Sequence, residues 1–199
     1  MKKYKLQIAY VALLTLCVPL SILYFVLCII AVRFIGGAID VNYLVYIYFG
    51  LGFAYWTAVV SLGIANIVKS FRTFKQGDIL ECVNGMLIHK YGLIVFFVIN
   101  FLLVVFVGLL MIVGSRGTII FAFPIAIAMI VVAAFFTWLA LVPGAFWGIQ
   151  TTRIAYKQGR LKKGEAILHG ILQFVFLADV CDAAYLSSKK WGKRKPSAV

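Results

Sequence analysis

Four long stretches without a single Asp, Glu, Lys or Arg residue limit the possible folds more than any other feature of this chain. They cover residues 6–32, 43–68, 91–114 and 118–143. Each is long enough to cross the hydrocarbon core of a bilayer, about 30 Å, as a helix. With 64% apolar residues in a chain of 199, a soluble domain of this size could not bury its apolar surface. The sequence therefore predicts an all-α integral membrane protein, with residues 1–188 forming one domain with four transmembrane helices.

The distribution of basic residues predicts the orientation of these helices. All but two of the 19 Lys and Arg residues fall on one side of the predicted membrane, and the exceptions are Arg33 and Arg116. Because loops rich in Lys and Arg stay in the cytoplasm, the N-terminus and the basic tail, residues 189–199, are both predicted to be cytoplasmic. Short basic loops around apolar spans resemble those of small multi-pass membrane proteins of bacteria, which implies a bacterial plasma membrane.

The net charge of +13 would suggest nucleic-acid binding in a soluble protein. Here the basic residues flank apolar spans and no soluble domain is left over, so we expect no nucleic-acid partner. The cytoplasmic face is predicted instead to contact the anionic headgroups of the bilayer.

Residues 165–186 are apolar only in part. The uncharged run, residues 166–178, is too short to span, and Asp179 and Asp182 follow it. A fifth span would carry both aspartates into the membrane, at a cost of about 2.5–3.5 kcal/mol each, and would place the basic tail outside. The sequence favours an amphipathic helix at the cytoplasmic interface. Five transmembrane helices are the alternative.

A possible tandem repeat relates the second half of the chain to the part before it. Shifting the chain by about 82 residues aligns Trp56 with Trp138 and the Lys-Gln-Gly sequence at 75–77 with that at 157–159. In the first copy, residues 78–81 have the pattern of a capping box at a helix start. Two helical hairpins are one interpretation; the other is a chance likeness between hydrophobic segments.

Small or amide side chains at helical spacing within the spans are the candidates for helix packing. They are Gly50, Ala54, Ala58, Asn100, Ala122 and Ala126. Small residues four apart let two helix backbones approach closely, and a buried Asn more often donates a hydrogen bond between helices than it binds a substrate. The pattern does not distinguish packing inside the molecule from dimerisation.

A polar cluster of His169, Gln173, Asp179 and Asp182 is predicted on residues 165–186. It can be interpreted as a cation site, but a hard metal needs more oxygen ligands and zinc needs better-placed nitrogen or sulfur. Pairing of the aspartates with nearby Lys and Arg is the favoured interpretation. We therefore expect no metal and no cofactor.

Sequence motifs of enzymes are missing from the chain. It contains no GxSxG, HExxH, P-loop or GxGxxG sequence. The sequence therefore favours a non-catalytic membrane protein that acts by association, as an accessory or regulatory subunit of a larger membrane complex or as a self-associating scaffold. Its partner would be another membrane protein or a second copy. The alternative is a small oligomeric transporter or channel for a neutral or lipophilic solute.

Overall fold

The computed structural model describes residues 2–35, 41–114, 119–175 and 177–189, and a 3-10 turn and six α-helices account for most of them. The turn covers Lys2–Tyr4. The helices are α1 (Lys5–Ile35), α2 (Val41–Gln76), α3 (Ile79–Gly114), α4 (Ile119–Lys157), α5 (Lys163–Leu172) and α6 (Ala178–Ser188). The predicted turn at 115–117 and nearly all of the basic tail, residues 190–199, lie outside the described residues.

The four long helices contain segments long and apolar enough to cross a membrane. These segments are Lys5–Ala31, Asn42–Gln76, Ile79–Met111 and Ala126–Lys157. The prediction of an all-α chain with four candidate membrane-spanning helices is confirmed for the described residues. The helices also exceed the predicted spans, since α3 begins at Ile79 rather than at Tyr91 and α4 continues through Pro143 to Lys157.

Side-chain contacts show that α1 to α4 form an up-down-up-down bundle. Helices α1 and α2 are antiparallel, because Asn66 Nδ2 donates to the Leu6 carbonyl at 3.3 Å and Tyr24 Oη donates to Leu44 at 2.6 Å. Helices α1 and α3 are parallel, because Tyr4 contacts Asn84 and Tyr10 contacts His89. Helices α2 and α4 are also parallel, because Trp56 contacts Phe136 and Phe71 contacts Phe146.

Helices α5 and α6 form a hairpin against one end of this bundle. Helix α5 runs back along α4, so that Gln173 reaches Gly148, and α6 returns along α3, with Leu186 packed in the same cluster as Ile79. The single helix expected over residues 165–186 is thus divided in two, with a break that includes Leu177 at φ +68°. Beyond the break, Asp179 faces Lys90 of α3 and Asp182 faces the side chains of α5.

The bundle has two different halves. The half that carries the hairpin and the ends of α1 to α4 near residues 2–14, 59–96 and 140–157 is called the base, and it contains both buried apolar clusters. In the other half, called the far half, large apolar side chains such as Phe53 (79% exposed) and Val113 (76%) point outward. Such a surface is suited to contact with lipid and not with water.

Candidate functional site

A buried ion pair joins α3 to the start of α6. Lys90 Nζ lies 2.6 Å from Asp179 Oδ2, and each side chain is only 1% exposed. The same ammonium donates to the Gln173 carbonyl at 3.1 Å, at the end of α5. One cation thus satisfies both a carboxylate near the N-terminus of one helix and a carbonyl at the C-terminus of the other.

The other carboxylate of α6 binds the polar side chains of α5. Asp182 accepts a hydrogen bond from Gln173 Nε2 and pairs with His169 Nδ1. The His169 ring also stacks on Tyr185, with 5.4 Å between the centroids. The predicted residues His169, Gln173, Asp179 and Asp182 therefore come together in the structure, and with Lys90 they form what is called the polar cluster below.

Glycines of α3 and α4 allow the helices to pack closely around this cluster. A Cβ at Gly148 would overlap the Gln173 side chain, and one at Gly144 would lie 3.0 Å from His89 Cβ. A Cβ at Gly85 would meet the Trp147 ring at 2.6 Å. Gly144 and Gly148 lie inside α4, which runs continuously past Pro143 to Lys157.

Lys90 is the residue of the polar cluster that the sequence did not predict, and His89 lies next to it in the chain. Both are fully buried; His89 Nδ1 donates to the Gly85 carbonyl at 2.8 Å, and its ring lies 5.6 Å from that of Tyr10. Lys90 falls in a predicted loop, because the uncharged third span begins only at Tyr91. The capping pattern at Asp78 was the available signal, since a helix that starts there and continues into the span contains Lys90.

The helix start at Asp78 lies at the surface of the base. Asp78 Oδ1 accepts the Glu81 N–H at 3.0 Å, as the capping pattern predicts, while the Glu81 carboxylate pairs with Lys3 at 2.9 Å. The Glu81 N–H, together with the Lys3 ammonium at 3.1 Å, lowers the pKa of Asp78. The hydrogen bonds to Glu81 and Asp78 raise the pKa of Lys3.

The helix-packing candidates occupy different environments. Gly50, Ala54 and Ala58 are exposed on α2, and a Cβ at Gly50 would have no neighbour within 4 Å. Ala126 is buried at 8%, whereas the side chain of Ala122 lies outside the described part. Asn100 donates to the Phe96 carbonyl of its own helix at 3.1 Å and lines an apolar cavity of about 160 Å³ between α3 and α4.

The geometry of the polar cluster is suited to pairing charges and to holding helices together. Among the described residues, no group of three or more His, Cys, Asp and Glu side chains could hold a metal ion. The carboxylates of the polar cluster are each bound to a lysine, a histidine or a glutamine. Removing one partner from a buried ion pair costs about 3–5 kcal/mol, so the cluster fixes the α5–α6 hairpin to α3.

Comparison with known proteins gives a family and no described function. No curated protein and no solved structure matches the chain. A family model described as a family of unknown function (DUF6652) matches residues 9–193, which include most of α1, all of α2 to α6 and every residue of the polar cluster. The chain therefore belongs to the family of unknown function DUF6652.

Proposed function

We propose that this protein is non-catalytic and acts by association within the bilayer, as a self-associating scaffold or as an accessory subunit of a larger membrane complex. One observation carries the proposal: the small-residue stripe of Gly50, Ala54 and Ala58 lies on the outer surface of α2. Ser61, a turn further on, is exposed as well. Such a stripe lets a second helix pack closely by van der Waals contact, the main attraction between helices in lipid.

Other glycines of the chain strengthen this argument. A Cβ added at Gly63, Gly85 or Gly92 would lie within 3.4 Å of a side chain of another helix, so these three glycines serve contacts inside the bundle. A Cβ at Gly50 would have nothing within 4 Å. Contacts inside the molecule thus do not require small residues along the α2 stripe, and the same stripe of a second copy would fit against it.

Within this proposal, four helices cross the membrane and the α5–α6 hairpin lies at the cytoplasmic interface. If Gly114 marks the outer surface, Lys90 lies about 36 Å below it along α3, at 1.5 Å per residue. That depth exceeds the hydrocarbon core of about 30 Å, so the polar cluster would lie at the inner headgroup level. Both aspartates would then avoid the apolar core, and the basic tail would stay in the cytoplasm.

The association is tested by energy transfer between donor- and acceptor-labelled copies in liposomes. Replacing Gly50, Ala54 and Ala58 with Leu is expected to remove the transfer. The matched control is Gly52→Leu, because Gly52 also has nothing within 4 Å but points to another side of α2. Unchanged transfer in the stripe variant would contradict association through the stripe, and no transfer in the original chain would contradict self-association altogether. Loss of a co-purified membrane protein in that variant would identify the accessory-subunit form.

A transporter or channel is the second candidate, and the cavity beside Asn100 favours it. Its walls are apolar, with Val104, Ile130 and Ala133 among them, which suits a neutral solute. Asn100→Leu would then stop solute flux into proteoliposomes without changing energy transfer between copies. Loss of flux in this variant, together with association that does not depend on the stripe, would support a transporter or channel in place of the scaffold.

A further inference from the structure

A groove between α4 and α5 opens on the surface of the base. Its volume is about 390 Å³. Helix α4 provides one wall with Ile149, Thr152 and Arg153, and the α5 segment provides the other with side chains that include Ile171 and Phe174. Gly170 also lines the groove, and a Cβ there would have nothing within 4 Å. The groove is therefore open beside the last turn of α5.

The groove is apolar at one end and basic at the other. Ile149 and Phe174 lie at the end nearest the hairpin tip, while Arg153 lies a turn further down α4. The Arg153 guanidinium and the Lys157 ammonium both sit over the Phe74 ring, 4.4 and 4.6 Å from its centroid. Exposed Lys162 and Lys163 lie at the start of α5, before the residues that line the groove. Positive charge therefore gathers near the Arg153 end of the groove.

The hairpin around the groove also has an apolar outer surface. Ile167, Leu168 and Ile171 are each more than half exposed on α5, and Leu177 near the tip is 71% exposed. The tip lies at the level of Lys90, which contacts the Gln173 carbonyl. The apolar end of the groove thus faces the membrane and the basic end faces the cytoplasm, in the orientation that the basic loops predict. A phospholipid of the inner leaflet has the same polarity along its length.

We propose that this groove binds one anionic phospholipid, with an acyl chain against Ile149, Ile171 and Phe174 and the phosphate beside Arg153. A guanidinium suits this role because its fork of N–H donors matches phosphate oxygens. In this proposal, the groove is the place where the cytoplasmic face makes its predicted contact with an anionic headgroup. This site rests on the membrane orientation of the proposed function but not on the α2 stripe, so either can fail alone.

Two variants separate the acyl chain from the headgroup. Gly170→Leu adds a side chain at a residue that lines the groove, and Gly164→Leu is its control on the same helix outside the groove, because a Cβ added at either glycine has nothing within 4 Å. Arg153→Gln removes the charge at the basic end. Its control is Arg72→Gln, because Arg72 is an exposed cation of the base that does not line the groove.

The measurement is the binding of fluorescent phosphatidylglycerol and phosphatidylcholine to the full chain in detergent. We expect one phosphatidylglycerol per chain, bound at least about tenfold more tightly than phosphatidylcholine. Gly170→Leu should weaken both lipids about tenfold, whereas Arg153→Gln should remove the preference between them. Both controls should bind like the original chain.

Three results would overturn the proposal. The first is equal affinity of the original chain for the two lipids, and the second is unchanged lipid binding in Gly170→Leu when its helical content is intact. The third is complete displacement of phosphatidylglycerol by inorganic phosphate at the same concentration, because this would show a site for an anion without an acyl chain. Unchanged energy transfer in the α2 stripe variant, with lipid binding intact, would contradict association through the stripe and leave the lipid site supported.

Discussion

Lys90 and Asp179 are each almost completely buried, so each charge depends on the other for its solvation. Lys90→Met or Asp179→Leu alone leaves an uncompensated charge inside the base and is expected to cost about 3–5 kcal/mol of the free energy of unfolding. The double variant should recover most of that loss, since two apolar side chains of similar size need no partner. Unfolding by a denaturing detergent, followed by circular dichroism, measures all three variants.

An exposed pair at the same end of the molecule provides the control. Lys3 and Asp78 lie 3.1 Å apart, but their side chains are well exposed. Because the Lys3 ammonium is half exposed, Lys3→Ala should cost less free energy of unfolding than either single variant of the buried pair, although it also removes the partner of the buried Glu81 carboxylate. If Asp179→Leu costs no more than Lys3→Ala, the polar cluster does not hold the hairpin.

Four of the five residues of the polar cluster can be predicted from the sequence, and Lys90 cannot. The spacing predicts that Asp179 and Asp182 project from neighbouring parts of one helical face, a turn or more after His169 and Gln173, and the numerous cations predict pairing. Lys90 could not be chosen among those cations, because it is distant in the chain from Asp179 and the contact depends on how α6 packs against α3. A local pattern contains no information on that packing.

At the scale of single elements, the N-terminus of α3 has a titratable cap. The pKa of Asp78 is lowered below 3.8, chiefly by the Glu81 N–H. As the pH falls, the unfolded chain binds a proton at this aspartate at a higher pH than the folded chain does. The stabilising contribution is therefore complete above about pH 5 and is lost as the pH falls through 4 and below.

Substitutions at Asp78 test this cap. Asp78→Ala should lower the free energy of unfolding by about 0.5–2 kcal/mol near neutral pH, because an N-cap is lost. Asp78→Asn keeps a capping oxygen but no charge, so its difference from the original chain should shrink as the pH falls to about 3. Melting temperatures at several pH values measure both effects. A pH-independent difference between Asp78→Asn and the original chain would contradict the assignment.

The two Lys-Gln-Gly sequences form similar helix ends. Gly77 and Gly159 have φ of +71° and +66°, and the N–H of each donates to a carbonyl three residues earlier. A helix follows both turns. It is preceded by Asp78 in the first case and by Lys162 in the second, and a glutamate, Glu81 or Glu165, lies three residues after that position. The sequence likeness therefore has a local structural counterpart, while the duplication of whole hairpins stays a hypothesis. Helix ends depend on nearby residues, which is why the sequence could predict them.

At the scale of the whole molecule, the sequence predicts the far half better than the base. Span length and the lack of charge are enough to predict a helix in lipid, and they do so for all four long helices. The base is held by contacts between distant segments, such as Trp147 against Gly85 and Leu186 beside Ile79. Hydropathy does not report such contacts. For that reason the division of residues 165–186 into two helices was not predicted.

The position of the hairpin decides between four spans and five, and Cys181 gives access to it. Cys181 is exposed on α6, whereas Cys82 in the apolar core of the base is fully buried. In a variant that keeps Cys181 alone, a membrane-impermeant maleimide should label inside-out vesicles and leave right-side-out vesicles unlabelled. A variant with Cys82 alone should stay unlabelled in both until it is unfolded.

A reporter fused after Val199 should be active in the cytoplasm, while one fused after Gly114 should report the opposite side. Activity of the Val199 fusion outside the cytoplasm would establish a fifth crossing, and with it a polar cluster within the hydrocarbon core.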